Sequence, residues 1–280
     1  MDFENQVVLI TGGSSGIGLA VARLLAAQGA HVWLLARRKE PLQNALAEVE
    51  GQRRSAAQRC GFVAADVAQV EQVQAAVGRV TEEAGPPDLV INAAGAARPG
   101  YFIDLDLEIF REMMAVNYFG TVHVVKAVLP GMLARGSGHI VTVSSMAGLV
   151  GLFGYTAYGS SKYAVRGFSD ALRAELKPRG IGVSIVYPPD TDTPQLAYEN
   201  RYKPAETRII SEIGTVLSPE AVAEAIVRGI ARRRYQILPG LENVILYWVI
   251  SLAGSLTYPV MDWLVARAQR QMKARVAADE

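Results

Sequence analysis

A regular alternation between short apolar runs and longer stretches with helical periodicity is the feature that most constrains the fold of this 280-residue chain. The apolar runs are rich in Val, Ile and Leu and show little polar alternation, which is typical of parallel strands covered on both faces. Strands that alternate with helices in this way predict an α/β fold with a doubly wound parallel sheet. The predicted strands are residues 7–10, 31–35, 62–64, 89–92, 139–144 and 183–187, and the predicted helices are residues 17–28, 41–50, 70–83, 107–134 and 158–177.

The composition excludes several classes of protein. Half of the residues are hydrophobic and 20% are charged, which excludes a disordered chain. The net charge is +1, so the composition gives no indication of nucleic-acid binding. A single cysteine, Cys60, excludes a disulfide framework and a cysteine-based zinc site. His31, His123 and His139 show no ligand spacing, so we expect no metal.

We expect one α/β domain over residues 1–240 and a helical segment over residues 241–280. Within the domain, residues 188–217 form the one long polar stretch without a helical or strand pattern, which is typical of a lid or binding loop. The N-terminus shows no signal-peptide pattern, so we expect a cytoplasmic protein. We also expect a homo-oligomer.

The C-terminal segment has the composition of a membrane-surface element. Residues 243–261 carry no charged side chain, and Trp248 and Trp263 lie within or beside this run. Four cations follow: Arg267, Arg270, Lys273 and Arg275. An apolar, Trp-flanked run beside a basic helix favours contact of residues 243–275 with a membrane surface facing the cytoplasm. An oligomer interface, a core helix and a true membrane span remain open.

A glycine-rich string follows the first predicted strand and begins the first predicted helix. It reads Thr-Gly-Gly-Ser-Ser-Gly-Ile-Gly over residues 11–18. The glycines allow a tight turn, and the helix directs its amides and positive dipole end towards an anion. In this βαβ context the string predicts a pyrophosphate site, with a ligand-free turn as the alternative. Its predicted members are Gly12, Ser14, Ser15, Gly16 and Ile17.

The residues after the second strand favour NADP(H) over NAD(H). An acidic residue at this position would hold a ribose 2′-hydroxyl, but the chain has Arg37, Arg38 and Lys39. Arginine binds a 2′-phosphate through paired hydrogen bonds, so we expect Arg37 and Arg38 to bind it. The alternative is a solvated basic turn. The later strand ends add Asp66 and Val67 beside the adenine, and Asn92, Ala93 and Gly95 beside the rest of the cofactor.

The sharpest chemical signal is Tyr158 followed by Lys162, because residues i and i+4 share one helix face. A phenol needs a pKa shift of roughly three units to work near neutrality, and one cation at close range supplies about that much. This spacing is also common by chance. Two other residues strengthen the signal. Ser145 follows the fifth strand and can hold a carbonyl, and Asn117 interrupts a long helical pattern, where it can bend the helix or anchor a water.

Together these motifs resemble the short-chain dehydrogenase/reductase superfamily, over residues 6–237. The resemblance implies a Rossmann-type sheet and a catalytic tetrad of Asn117, Ser145, Tyr158 and Lys162. It implies that Tyr158 donates a proton to a ketone oxygen, that Lys162 lowers the pKa of Tyr158 and holds the nicotinamide ribose, and that Ser145 orients the carbonyl. Ser144 is the alternative to Ser145 and a further cofactor contact. The usual Pro-Gly after strand six is Pro188-Pro189 here, whereas Thr193 keeps its place near the nicotinamide.

The substrate half is similar to the 3-ketodihydrosphingosine reductases, in residues 148–158, 164–168, 187–194 and 199–208. This implies NADPH-dependent reduction of a lipid-like ketone, 3-ketodihydrosphingosine, to its alcohol in sphingolipid synthesis, at a membrane. A broad carbonyl or hydroxysteroid reductase and a silent NADP-binding regulatory protein are the alternatives. Four acidic residues are candidates to meet a substrate ammonium, or else simply solvate the loop: Asp190, Asp192, Glu199 and Glu206.

Overall fold

The computed structural model describes residues 2–212 and 214–279, with side chains through residue 272. It contains one seven-stranded parallel sheet with the strand order β3-β2-β1-β4-β5-β6-β7. The chain runs outward from β1 to β3 and then restarts at β4 on the other side of β1, which confirms the doubly wound, Rossmann-type fold. The strands are β1 (Val7–Thr11), β2 (His31–Ala36), β3 (Gly61–Ala64), β4 (Leu89–Asn92), β5 (Gly138–Val143), β6 (Ile181–Val186) and β7 (Gln236–Ile237).

Helices cover both faces of the sheet. Those that precede the C-terminal segment are α1 (Gly16–Ala27), α2 (Lys39–Glu50), α3 (Val70–Ala84), α4 (Leu107–Met113), α5 (Gly120–Arg135), α6 (Thr156–Leu176), α7 (Pro194–Glu199), α8 (Ala205–Ser211) and α9 (Pro219–Ala231). A π-helical turn, Met114–Phe119, joins α4 to α5. The segment itself consists of α10 (Leu241–Ala253), a 3-10 turn over Gly254–Leu256 and α11 (Thr257–Asp279).

The side chains of β1 show why its first four residues are all apolar. Val8 and Ile10 belong to the core on the face that α1, α2 and α9 cover, whereas Val7 and Leu9 belong to the core beneath α3, α5 and α6. A strand buried on both faces has no position for an alternating polar residue. The parallel sheet therefore accounts for the continuous apolar runs of the sequence.

Two expectations from the sequence are wrong in detail. The predicted irregular stretch of residues 188–217 contains α7 and α8, and the chain also forms α9 and β7. The Thr193 hydroxyl caps α7 by accepting from the amide of Leu196 at 3.3 Å, and Pro194 occupies the first turn of that helix. α7 has only six residues, so local capping, and not apolar periodicity, defines it. The predicted helix 107–134 is also interrupted by the π-helical turn.

The C-terminal segment begins at Leu241 and packs only partly on the domain. Tyr247 and Ile250 of α10 contact a buried cluster that includes Tyr187, and α11 packs against α8. Among the residues that the structure describes, the stretch Leu241–Met272 is long and apolar enough to cross a membrane, with a mean hydropathy of 1.6 and an apolar window that the protein leaves unburied. Gly254 interrupts it with a φ of 53°, a conformation that favours glycine. The side chains of Lys273 and Arg275 lie outside the described residues.

Candidate active site

A cleft of about 370 Å³ opens at the carboxyl ends of the central strands, where parallel sheets of this topology bind ligands. It brings together the glycine-rich turn after β1, the two arginines after β2, and the Tyr158 and Lys162 pair of α6. Most of the residues predicted to bind a cofactor line it: Gly12, Ser14, Ser15, Gly16, Ile17, Arg37, Arg38, Asp66, Val67, Ala93, Gly95, Ser144, Pro188 and Thr193.

The glycine-rich turn is shaped by close backbone approaches. Gly12 has a φ of 67°, and a Cβ there would lie 2.8 Å from the backbone of Ala93. A Cβ at Gly18 would lie 2.4 Å from the carbonyl oxygen of Gly12. Any larger residue would displace the turn from the loop after β4. Because the turn leads directly into α1, its amides face the cleft with the positive end of the helix dipole behind them, and the residues present fit a pyrophosphate.

The arginines after β2 lie at the far end of the same cleft. Arg37 and Arg38 are exposed and line it. The carboxylate of Asp66 faces its own loop, where Oδ1 accepts from the amide of Ala68 at 3.0 Å. This end of the cleft therefore offers cations to an anionic group on the adenosine half of a dinucleotide.

Asn92 differs from its predicted neighbours because its side chain connects two strands. Its Nδ2 donates to the carbonyl of Val141 in β5 at 3.1 Å, and the residue is absent from the lining of the cleft. The loop after β4 is held instead by the Thr11 hydroxyl, which accepts from the amide of Ala94 at 3.1 Å. The structure thus places Ala93 and Gly95 at the cleft and Asn92 behind them.

Lys162 and Tyr158 are both buried on one face of α6. The Lys162 Nζ lies 5.6 Å from the centroid of the Tyr158 ring and donates to the carbonyl of Val143 at 2.9 Å. Burial lowers the pKa of Lys162 to about 8, and the carboxylate of Glu199 partly opposes this shift. Lys162 is therefore a cation that titrates close to neutrality.

The expected net lowering of the pKa of Tyr158 is not found in the protein without its cofactor. Burial raises the pKa of Tyr158, and the negative charges of Glu199 and Asp190 raise it further, whereas a hydrogen bond with Ser145 lowers it. The argument from sequence relied on the attraction of one cation, but the cost of burying a phenolate is larger. In the protein alone, Tyr158 is a protonated hydroxyl, which is the form that a proton donor requires.

The two serines after β5 have different environments. Ser144 is buried and its hydroxyl donates to the carbonyl of Lys162 at 3.0 Å, so it attaches α6 to the sheet. Ser145 is partly exposed, and its Oγ accepts from the amide of Ala147 at 3.2 Å while facing Tyr158. Ser145 is therefore the hydroxyl that can contact a ligand beside Tyr158.

Asn117 lies in the π-helical turn, and its amide connects three elements. Its Oδ1 accepts from the amide of Ala96 at 2.9 Å, and its Nδ2 donates to the carbonyl of Ala96 at 2.9 Å and to the hydroxyl of Ser161 at 2.8 Å. A π-helical turn shifts the register of a helix and is frequent at functional sites. Here it directs Asn117 towards α6, next to Lys162.

Tyr155 and Gln195 belong to this site but were not predicted. The Tyr155 hydroxyl donates to Glu199 at 2.9 Å, and Gln195 Nε2 donates to the same carboxylate at 3.0 Å. All three side chains line the cleft. Tyr155 precedes Tyr158 by three residues, so helical spacing could have indicated a shared face, but nothing in the sequence indicates that Gln195 points inward.

The four acidic candidates of residues 188–217 fall into different environments. Glu199 lines the cleft and is buried, and Asp190 lines it while forming an ion pair with Lys203 at 3.1 Å. Asp192 is exposed, and Glu206 accepts from the hydroxyl of Tyr101 at 2.7 Å outside the cleft. The structure therefore separates a single buried, cleft-facing carboxylate from three others.

Residues 6–203 match the family model described as short chain dehydrogenase. Since this match covers most of the chain, the protein belongs to the short-chain dehydrogenase family of oxidoreductases, which confirms the predicted class of enzyme. A solved short-chain dehydrogenase/reductase from Burkholderia phymatum in complex with NAD superimposes with a TM-score of 0.80 at 25% identity, over 92% of this chain and 96% of that one. A nicotinamide dinucleotide is the class of cofactor that this cleft fits.

Two relatives make the resemblance more specific. A protein from Bos taurus named 3-ketodihydrosphingosine reductase is 42% identical over 240 residues, which is 85% of this chain and 72% of the relative. A protein from Danio rerio named 3-dehydrosphinganine reductase is 44% identical over 222 residues, which is 79% of this chain and 67% of the relative. Both alignments extend beyond the cofactor-binding half.

Proposed function

We propose that this protein uses NADPH to reduce the 3-ketone of a long-chain sphingoid base, 3-ketodihydrosphingosine, to the alcohol, as a step of sphingolipid synthesis. The observation that carries the proposal is the single cleft that joins a pyrophosphate-binding turn to the Tyr158, Ser145 and Lys162 side chains. The names of the two relatives support the choice of ketone.

Each of the three side chains has a separate task in this reaction. NADPH, when bound in the cleft, would supply the hydride for the ketone carbon. Tyr158 donates its hydroxyl proton to the ketone oxygen, so that a C–H and an O–H bond form while the carbonyl π bond is lost. Ser145 donates a hydrogen bond to the same oxygen and fixes its position beside Tyr158. Lys162 binds ribose hydroxyls and stabilises the tyrosinate that remains.

The preference for NADPH depends on the two arginines after β2. A 2′-phosphate adds up to two negative charges to the adenosine half, and Arg37 and Arg38 both line that end of the cleft. Residues 36–38 offer no carboxylate to a free 2′-hydroxyl. The charge of this end therefore favours the phosphorylated cofactor.

Turnover of a panel of ketones tests the reaction. We expect NADPH oxidation with a long-chain 3-keto sphingoid base at a kcat/KM at least tenfold above that for steroid ketones and short ketones. Tyr158→Phe removes the proton donor and keeps the ring, so we expect a loss of about 10²- to 10⁴-fold in kcat with NADPH binding retained. A preference for steroids would instead indicate a hydroxysteroid reductase. Cofactor binding without turnover of any ketone would indicate a regulatory protein.

We further propose that α10 and α11 lie on a membrane surface that faces the cytoplasm. Large apolar side chains of these helices are exposed, among them Trp248 at 57% and Leu252 at 82%. α10 has 13 residues and is about 20 Å long, shorter than the roughly 30 Å of a bilayer core, and Gly254 interrupts the helix at its end. This geometry favours a helix that lies in the interface, close to a substrate that partitions into lipid.

A further inference from the structure

Glu199 is a buried carboxylate in the wall of the catalytic cleft, and the hydrogen bonds that the structure shows to its oxygens come from neutral groups. Glu199 is 7% exposed, and its carboxylate accepts hydrogen bonds from the Tyr155 hydroxyl and the Gln195 amide. Among residues 2–212 and 214–272, no cationic side chain forms an ion pair with it within 4.0 Å. Asp190, in contrast, is paired with Lys203.

A buried carboxylate without an ion-pair partner carries a desolvation cost that a protein seldom keeps without a function. Burial raises the pKa of Glu199 accordingly, whereas the hydrogen bonds from Gln195 and Tyr155 and the charge of Lys203 oppose the rise. These two neutral donors orient the carboxylate but do not neutralise it. A ligand that brings a positive charge into the cleft would offset this desolvation cost when it binds.

The location of Glu199 fixes which part of a ligand it can meet. Tyr155, which donates to Glu199, has its ring centroid 5.7 Å from the ring centroid of Tyr158. The charge of Glu199 is also close enough to raise the pKa of both Tyr158 and Lys162. A cation held at Glu199 must therefore lie near the reacting carbonyl and not at the distal end of a long substrate.

We propose that Glu199, oriented by Tyr155 and Gln195, binds an ammonium group on the carbon next to the ketone, and so selects 2-amino ketones over plain ketones. This rests on the proposed function, because a 3-keto sphingoid base carries its amino group at that position. The ion pair between this ammonium and Glu199 has a second consequence. When Tyr158 gives up its proton it becomes an anion beside Glu199, and the ammonium cancels that repulsion. The amino group should therefore increase kcat as well as lower KM.

A pair of substrates and a pair of variants test this subsite. The substrates are a long-chain 2-amino-3-ketone and the same 3-ketone without the amino group, and the measured quantity is the ratio of their kcat/KM values. For the unaltered protein we expect a ratio of at least ten in favour of the amino ketone. Glu199→Gln keeps the size of the side chain but removes its charge, so we expect the ratio to fall at least tenfold. Glu206→Gln, which changes a buried carboxylate outside the cleft, should leave the ratio unchanged, and Glu199→Asp should restore part of it.

The outcomes separate this proposal from the proposed function. Equal turnover of both ketones by the unaltered protein would overturn the ammonium subsite but leave the proposed ketone reductase in place. This comparison uses only the unaltered protein, so it does not depend on whether a variant folds. An unchanged ratio in Glu199→Gln, or an equal loss for both substrates, would assign Glu199 a structural role and overturn the subsite. Turnover of neither ketone would overturn the proposed function and the subsite with it.

Discussion

The charge state of Lys162 predicts how the reaction depends on pH. Burial sets the pKa of Lys162 near 8, below the usual value for lysine, so the cation is present below pH 8 and is lost as the pH rises through 8. Loss of this charge weakens the ribose contact and leaves the Tyr158 anion without a counter-charge. We expect kcat/KM for ketone reduction to fall above about pH 8.

The matched variant for this prediction is Lys162→Arg, because a guanidinium keeps its charge throughout this range. We expect this variant to lose the decline near pH 8, even where its absolute rate is lower. Steady-state rates at saturating NADPH between pH 6 and 10 measure the effect. A wild-type profile that stays level to pH 10 would contradict the assignment.

The position of Arg37 in the cleft predicts that the protein binds NADPH in preference to NADH. Arg37→Ala removes a charge-assisted contact with a 2′-phosphate, which is worth about 1.5–3 kcal/mol, or roughly tenfold to hundredfold in affinity. We expect the dissociation constant for NADPH to rise by that factor and the constant for NADH to change less than about threefold. Lys39→Ala is the control, because Lys39 is a neighbouring cation that does not line the cleft. Equal weakening of both cofactors would show that Arg37 does not contact the phosphate.

At the scale of elements, a buried histidine connects β5, β6 and the segment before β7. The Nε2 of His139 donates to the hydroxyl of Ser184 at 2.8 Å, and this hydroxyl donates to the carbonyl of Arg234 at 2.6 Å. Burial lowers the pKa of His139 to about 4. Between pH 6.5 and 4 the unfolded chain therefore binds a proton that the folded protein excludes, and the free energy of unfolding falls by on the order of 3 kcal/mol.

The measurement for this prediction is denaturant unfolding at pH 7 and pH 4.5. Other groups also titrate in this range, so the comparison must be made with His139→Gln, which cannot take up the proton. We expect the variant to be less stable at pH 7 but to lose less stability on acidification. Parallel losses in both proteins would show that His139 does not cause the acid sensitivity of the sheet.

The elements with strong apolar patterns were predictable, and those defined by local contacts were not. β1 is apolar from Val7 to Ile10 because both of its faces are buried, so its sequence alone indicates a central parallel strand. α7, in contrast, has six residues and depends on the Thr193 cap, which leaves no periodicity to detect. The same limit applies within the site. Spacing on α6 joins Tyr158 to Lys162, but the position of Glu199 follows only from the contact of α7 with Tyr155, the residue before α6.

At the scale of the whole molecule, the C-terminal helices pack on elements that border the catalytic cleft. α10 packs on the cluster that contains Met146 and Leu149, immediately after Ser145, and α11 packs on α8. Near α8 the side chains of Phe102 and Ile103 are also exposed, and Tyr101 beside them bonds to Glu206 of that helix. A membrane in contact with these helices would therefore lie near the substrate end of the cleft, where a long-chain substrate has to enter.

This arrangement predicts that two substitutions abolish membrane binding without disturbing the fold. Trp248→Glu with Leu252→Glu places charges on the exposed face of α10, whereas Tyr247 and Ile250, which pack on the domain, are kept. Each buried side chain of this size contributes about 1.5–3 kcal/mol, so the pair should lower the vesicle partition coefficient at least hundredfold. Sedimentation with phosphatidylcholine vesicles that contain anionic lipid measures it, since the exposed Arg267 and Arg270 favour negative headgroups.

The control variant is Leu133→Glu, a partly exposed leucine on α5, which should sediment with vesicles as the unaltered protein does. Light scattering of the same samples separates a membrane surface from a subunit interface. If the double substitution lowers the molecular mass and the unaltered protein does not bind vesicles, the exposed face of α10 joins two copies of the chain and the membrane proposal is wrong. If vesicle binding is lost at constant mass, the face contacts lipid. Turnover of a short, water-soluble ketone should then persist in the double variant, because the substitutions lie outside the cleft and affect only the delivery of long-chain substrates.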